Sequence, residues 1–195
     1  MTRAAGPWRE GARTVGFMTA LTALFISAVT GAHLLTRDAV ARNRTRHIQR
    51  AVRAAAGLPA DPAAGENATM ETGPGRYEVE TPAGRIVVRL AQGAGLWGPI
   101  QAAVGIRLAD QTLAGFAVIA QSETPGLGAR IEEPGFAAQF AGKRPPLTLA
   151  PEGARSPRPD TVDAVTGASI TSRAVRDLVN AAAAAESAGA GKEAP

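Results

Sequence analysis

The stretch Asp163-Ala-Val-Thr-Gly-Ala-Ser-Ile-Thr-Ser172 concentrates the residue types that could do chemistry in this chain. The hydroxyls of Thr166, Ser169, Thr171 and Ser172 crowd around Gly167, and an amphipathic pattern begins directly after them. A helix start of this kind is a phosphate site. Its first backbone N–H groups have no intrahelical partner, and the helix dipole favours negative charge there. A glycine lets the backbone approach an oxyanion closely. Ordinary N-capping by Thr166 or Ser169 accounts for the same residues, and residue types alone support both readings equally.

Other chemistries are narrowed by composition. The chain has no cysteine and only two histidines, His33 and His47. Disulfides, thiol catalysis and cysteine-ligated clusters are excluded, and an imidazole-built metal site is not expected. No catalytic set is assigned. Redox work by this chain would need an organic cofactor. The net charge of +4 is concentrated at Arg37, Arg42, Arg44, Arg46, Arg50 and Arg53. No nucleic-acid recognition motif accompanies these arginines, so nucleic acid is not the expected partner. A basic helix beside lipid headgroups suits their position.

The elements that must position the hydroxyl-rich stretch follow from patterning. Residues 14–36 contain no Asp, Glu, Lys or Arg and are bracketed by Arg13 and Arg37. As a helix they would span about 34 Å, enough for a hydrocarbon core of ~30 Å. They are read as a single uncleaved membrane anchor in preference to a cleaved signal peptide, with 1–13 as an N-terminal tail. Residues 37–74 read as a helical and linker region, with a helix to about Ala56 and a loop from Asp61 to Pro74. Arg76–Glu80 and Arg85–Leu90 form a hairpin pattern. Ile100–Leu108 and Leu113–Ala120 read as further strands, and Glu133–Ala141 as a short helix with Phe136 and Phe140 on one face. In the final segment Ile170, Ala174, Leu178 and Ala182, flanked by Val175 and Val179, predict an amphipathic helix with one buried stripe. The expected fold is α+β: one transmembrane helix, then a domain at 75–187 in which helices cover a small sheet, then a disordered tail at 188–195.

The hydroxyl-rich stretch resembles the flavinylation motif Asp-x-x-Ser/Thr-Gly-Ala-Ser/Thr. That motif marks the FMN-binding domain family shared by the G subunit of Rnf electron-transport complexes and the C subunit of sodium-translocating NADH:quinone reductase. Asp163, Thr166, Gly167, Ala168 and Ser169 occupy its fixed positions. Glu123-Thr-Pro-Gly-Leu-Gly128 is similar to a second family block, and Gly95-Leu-Trp-Gly-Pro99 to a third that is closer to the sodium pump.

The resemblance implies FMN held covalently by a phosphoester on Ser169 and installed by a flavin transferase that reads a segment including Asp163. It implies Thr124 and Leu127 as pocket walls, with Gly126 and Gly128 allowing close backbone approach. Trp97 is either a flank of the ring or a core residue. The implied role is an electron carrier in a membrane-bound, ion-coupled complex linking ferredoxin and NADH pools, with other membrane subunits as partners. Ser-Arg-Ala-Val and the alanine-rich helix after it favour Rnf G over the sodium-pump subunit. A non-flavinylated membrane assembly module is the remaining alternative. The implied location is the bacterial cytoplasmic membrane with the domain on the periplasmic side, whereas the arginines after the anchor, counted alone, favour the cytoplasm.

Overall fold

A computed structural model of the chain describes residues 7–59, 69–81 and 84–190. Helix α1 spans Pro7–Ala55, so it begins inside the stretch read as a tail. The chain divides into two compact units, Met1–Thr45 and Arg46–Pro195. In the first, the apolar residues from Val15 to Leu35 are exposed along the helix. An 18-residue window of mean hydropathy 1.8 has none of its residues buried. By length and composition, α1 can cross a membrane. The Thr36 hydroxyl donates to the Ala32 carbonyl at 2.8 Å, which satisfies a polar group within the helix itself.

The second unit opens with the last turns of α1. They end because Gly57, at φ +74°, takes the left-handed conformation. Its N–H donates to Ala54 and that of Leu58 to Arg53, closing a Schellman cap. An antiparallel sheet follows in the order β1 (Thr69–Gly73), β2 (Arg76–Thr81), β3 (Gly84–Ala94), β4 (Pro99–Arg107) and β5 (Leu113–Ala120). Strand β1 lies within residues read as loop. It is an edge strand exposed along most of its length, so no apolar alternation marks it.

Alternation along the inner strands assigns their two faces. Ile100, Ala102, Val104 and Ile106 of β4 enter one core, and Ala103 enters the other. Ala51, Val52, Ala55 and Ala56 of α1 fill the second core, with Val79, Ile86 and Val88. Contact there is backbone to backbone. A Cβ on Gly105 would overlap the Ala55 carbonyl oxygen, and one on Gly115 would come within 2.9 Å of it.

The first core is closed by α2 (Pro134–Ala138), by the parallel pair β6 (Thr148–Ala150) and β7 (Thr161–Asp163), and by α3 (Ser169–Ala190). Phe116, Phe136 and Phe140 cluster at its centre with ring centroids 4.6 to 6.4 Å apart. The buried stripe of α3 runs through Val175, Leu178, Val179, Ala182 and Ala183. Ile170, placed in that stripe by periodicity, is instead exposed, because it lies in the first turn of the helix, at the rim of the core. Asn180 fastens α3 to β6 through both its amide atoms and the Leu147 backbone. The helix continues to Ala190, past the expected end of structure at Ser187; residues 191–195 lie outside the described residues.

Near the far end of α3, the buried Glu186 carboxylate accepts from Arg76 at 2.9 Å and Arg89 at 3.0 Å. Burial works against its ionisation, but the hydrogen bonds and charges of the two arginines outweigh burial and hold its pKa below the ordinary value. Two outcomes follow. Gly105→Ala should lower stability by about 1–3 kcal/mol through overpacking against α1, seen as a reduced thermal midpoint. Because the folded-state pKa of Glu186 is depressed, its contribution is complete above the unfolded value of about 4.5 and is lost as pH falls through the folded value. Glu186→Gln should therefore weaken the fold at pH 7 and flatten the acid side of its stability–pH curve, measured by denaturant titration.

Candidate functional site

The site begins with how α3 starts. The Ser172 N–H donates to the Ala168 carbonyl at 2.9 Å, which makes Ala168 the N-cap residue. Ala168 has no side-chain oxygen to give, so the N–H groups of Ser169, Ile170 and Thr171 receive no side-chain cap among the described residues. Thr166, Gly167, Ser169 and Ile170 of this turn are exposed, and Thr171 is buried. An uncapped end of a 22-residue helix presents free donors and the positive end of the dipole to an anion. The capping account of Thr166 and Ser169 is not what the fold adopts.

The hydroxyls of the motif divide sharply. Ser172, fully buried, accepts from the Val165 N–H at 3.0 Å and donates to the Ala168 carbonyl at 2.9 Å. Thr171, also buried, donates to Glu123 Oε2 at 2.6 Å. Thr166 is exposed but held: its N–H donates to Glu152 Oε2 at 2.6 Å. Ser169 is exposed, and its hydroxyl has no hydrogen-bond partner among the described residues. Only its carbonyl is used, by Arg173.

Glu152 anchors the turn from outside. Arg130, bonded to it at 2.9 Å, and the backbone and hydroxyl of Thr166 lower its pKa to about 2. Its grip on the turn is thus present above the ordinary carboxylate range and is lost as pH falls toward 2.

Glu123 joins the site from within. It is buried in the turn after β5, and its Oε1 accepts the N–H groups of Leu96 at 2.8 Å and Trp97 at 3.1 Å. Its Oε2 takes the Thr171 hydroxyl. Two glycines make room for it. A Cβ on Gly95 would overlap Oε1, and one on Gly128 would lie 2.7 Å from Oε2 and 2.8 Å from the Thr171 oxygen.

The turn after Glu123 closes on the Thr124 carbonyl, which accepts from Leu127 and Ala129. Gly126 adopts φ +75° in it. This turn puts Leu127 against the motif, since a Cβ on Gly167 would sit 3.0 Å from the Leu127 side chain. Around the bare helix start the large apolar side chains are exposed: Leu96 at 51%, Trp97 at 70%, Leu127 at 45% and Ile170 at 50%. Trp97 is therefore not a core residue. A concavity of about 540 Å³ is lined by residues 92–99.

The structure thus brings Thr124, Gly126, Leu127, Gly128, Gly167, Ala168 and Ser169 into one region. Gly128 packs on Glu123 and Thr171, so the close approach it allows is internal. Asp163 is directed elsewhere. It is buried, its Oδ2 accepts the Arg155 N–H at 3.0 Å, and its own N–H donates to Gln139. It borders a second concavity of about 550 Å³ with Arg130, Lys143 and Glu152. Sequence reading did not single out Glu123 or Glu152 by role. A lone acid three residues past the apolar Leu113–Ala120 strand, just before Thr124-Pro-Gly126, was the available signal for the first; nothing local marked the second.

Residues 95–184 match the model of a family described as the FMN-binding domain. Among curated proteins, the C subunit of Na(+)-translocating NADH-quinone reductase from Vibrio anguillarum is 34% identical over 97 residues, covering 46% of this chain and 38% of that protein. The corresponding protein from Chlamydia pneumoniae is 48% identical over 52 residues, covering 27% and 16%. The matched region thus spans well under half the length of these relatives. Among solved structures, the C subunit of the same reductase from Parabacteroides distasonis aligns with a TM-score of 0.58 at 20% identity, covering 74% of this chain and 92% of that one. NqrC from Shewanella oneidensis aligns with a TM-score of 0.59 at 21% identity, covering 72% and 91%. These structures share the α+β fold expected from the sequence.

The unequal use of the hydroxyls has a measurable consequence. Ser169→Ala should change stability by less than about 0.5 kcal/mol. Thr171→Val, which leaves a buried carboxylate oxygen without its donor, should cost about 1–3 kcal/mol. Thermal denaturation of the two variants beside the parent chain makes the comparison.

Proposed function

We propose, on the premise that residues 95–184 are homologous to the FMN-binding domain family, that this chain is a membrane-anchored electron carrier whose FMN is esterified through its phosphate to Ser169. One observation carries the reading. Ser169 is exposed, its hydroxyl has no hydrogen-bond partner among the described residues, and it stands at an uncapped helix N-terminus, whereas Thr171 and Ser172 are buried and bonded and Thr166 is tied to Glu152 through its N–H.

The residues present fit the group. The N–H donors of Ser169, Ile170 and Thr171 and the α3 dipole suit a phosphate. Leu96, Trp97, Leu127 and Ile170 offer apolar surface to a flat ring, and Thr124 lies exposed beside Leu127. Gly167, at φ +76°, removes a side chain that would crowd Leu127. When bound, FMN supplies electron transfer in single or paired steps. The protein's work is then retention, orientation and partial shielding. It needs no general base, and Asp163 is assigned to the segment read by a flavin transferase during maturation.

The curated relatives are subunits of a Na(+)-translocating NADH-quinone reductase. Membership in a multisubunit membrane complex of that type is therefore the first reading. The Rnf G reading keeps one feature in its favour, the Ser172-Arg-Ala-Val175 run opening into an alanine-rich α3. Helix α1 serves as a single-pass anchor in the bacterial cytoplasmic membrane. We place the domain on the periplasmic side, where its transferase would reach Ser169, with the arginines after the anchor contacting anionic lipid or neighbouring subunits.

Co-expression with a flavin transferase tests the assignment. The parent chain should retain flavin after denaturation, seen as in-gel fluorescence and as one added FMN phosphoryl unit by mass spectrometry. Ser169→Ala should lose it, and Ser169→Thr should keep it. Equal flavin on Ser169→Ala would exclude this attachment site, and a colourless parent chain that still supports complex assembly would favour an assembly module instead.

A further inference from the structure

We propose that Glu123 is the positioning residue of the flavin site, a clamp whose carboxylate fixes the Leu96–Trp97 turn and the first turn of α3 in one register. This rests on the reading of Ser169 as the attachment point.

The geometry points to a clamp. Its two oxygens bind two different walls. Oε1 holds the Leu96 and Trp97 N–H groups of the β3–β4 connection, and Oε2 holds the Thr171 hydroxyl, two residues beyond Ser169. Without Glu123 those two N–H groups have no other partner among the described residues. The Gly95 and Gly128 sites are cleared of side chains at its oxygens. The chain thus gives up side chains at two positions so that a buried acid can sit between the walls. The side chains that Glu123 places, Leu96 and Trp97, are themselves exposed, so core packing does not hold them in position. Their location relative to Ser169 depends on this carboxylate and on the backbone bond from Gly95 N–H to the Gly98 carbonyl.

Geometry and charge separate by substitution. In Glu123→Gln the amide oxygen can still accept from Leu96 and Trp97, and the amide NH2 meets the Thr171 oxygen, whose hydroxyl rotates to accept. Glu123→Ala releases both walls, and Thr171→Val releases only α3.

The experiment uses the full chain co-expressed with a flavin transferase. It reads flavin occupancy by intact mass and, in flavin-free chain, hydrogen exchange at the Leu96 and Trp97 amides, with thermal midpoints recorded for every variant. A misplacement of about 1 Å can cost up to ~100-fold in a positioned reaction, so the initial rate of flavin loading should fall at least about tenfold in Glu123→Ala. Glu123→Gln should recover it to within about threefold of the parent on the same argument. Exchange at Leu96 and Trp97 should be fast in Glu123→Ala and slow in Glu123→Gln. In Thr171→Val those amides should stay protected while loading falls. If Glu123→Ala does not melt cooperatively, Thr171→Val decides.

Loading that merely follows the folded fraction, or that equals the parent in Glu123→Ala and Thr171→Val, would overturn the clamp while leaving the flavin assignment standing. A parent chain that takes no flavin would overturn both, and that outcome is recognised by the parent alone.

Discussion

Helix α3 must bury Val175, Leu178, Val179 and Ala182 against the sheet, and everything at the site depends on how its first turn is held while that happens. A helix start needs partners for its backbone donors, and the common solution is a side-chain cap. Here the cap position is an alanine. The nearby hydroxyls are spent on other tasks: Ser172 closes the loop behind the helix, and Thr171 reaches inward to Glu123. The helix is secured from below and behind, its first donors are left without a side-chain cap among the described residues, and Ser169 stays exposed. The same bonds that stabilise the turn therefore leave a set of uncapped donors that suits an anionic group.

Small residues make this arrangement possible on both sides of the sheet. Gly105 and Gly115 let the end of α1 lie directly on strands β4 and β5, while Gly95 and Gly128 admit a carboxylate between two loops. In each case the place of a Cβ is taken by an oxygen from another segment. The first pair fastens a helix to a sheet, and the second fastens loops to a helix start. The apolar side chains at the rim, Leu96, Trp97, Leu127 and Ile170, are then carried by backbone geometry more than by core packing.

Electrostatics are distributed in keeping with this division. Glu186, deep under Arg76 and Arg89, ties the far end of α3 to β2 and β3 and belongs to stability. Glu152, exposed and paired with Arg130, steadies the turn that precedes α3. Glu123 is the one of the three acids that contacts two walls of the site. All three act on α3 or its approach, so the position of Ser169 is determined from both ends of one helix and from the strand beneath it.

Much of this was legible in the residues. The long uncharged run, the hairpin, the strands from Ile100 and Leu113, the short Phe-bearing helix and the final amphipathic helix all follow from composition and period, because local propensity and burial agree there. The motif itself, and the set of hydroxyls that could carry a phosphate, were equally readable. Residue types did not distinguish a cap from an attachment site, since Thr166, Ser169, Thr171 and Ser172 have the same chemistry when written in a row. Tertiary structure gave them different surroundings, because burial and the reach of Glu123 from the turn after β5 take up Thr171 and Ser172 and leave Ser169 exposed. The edge strand β1, exposed along most of its length, and the exposure of Ile170 were decided in the same way. Each depends on where the core ends in space, which no local period encodes.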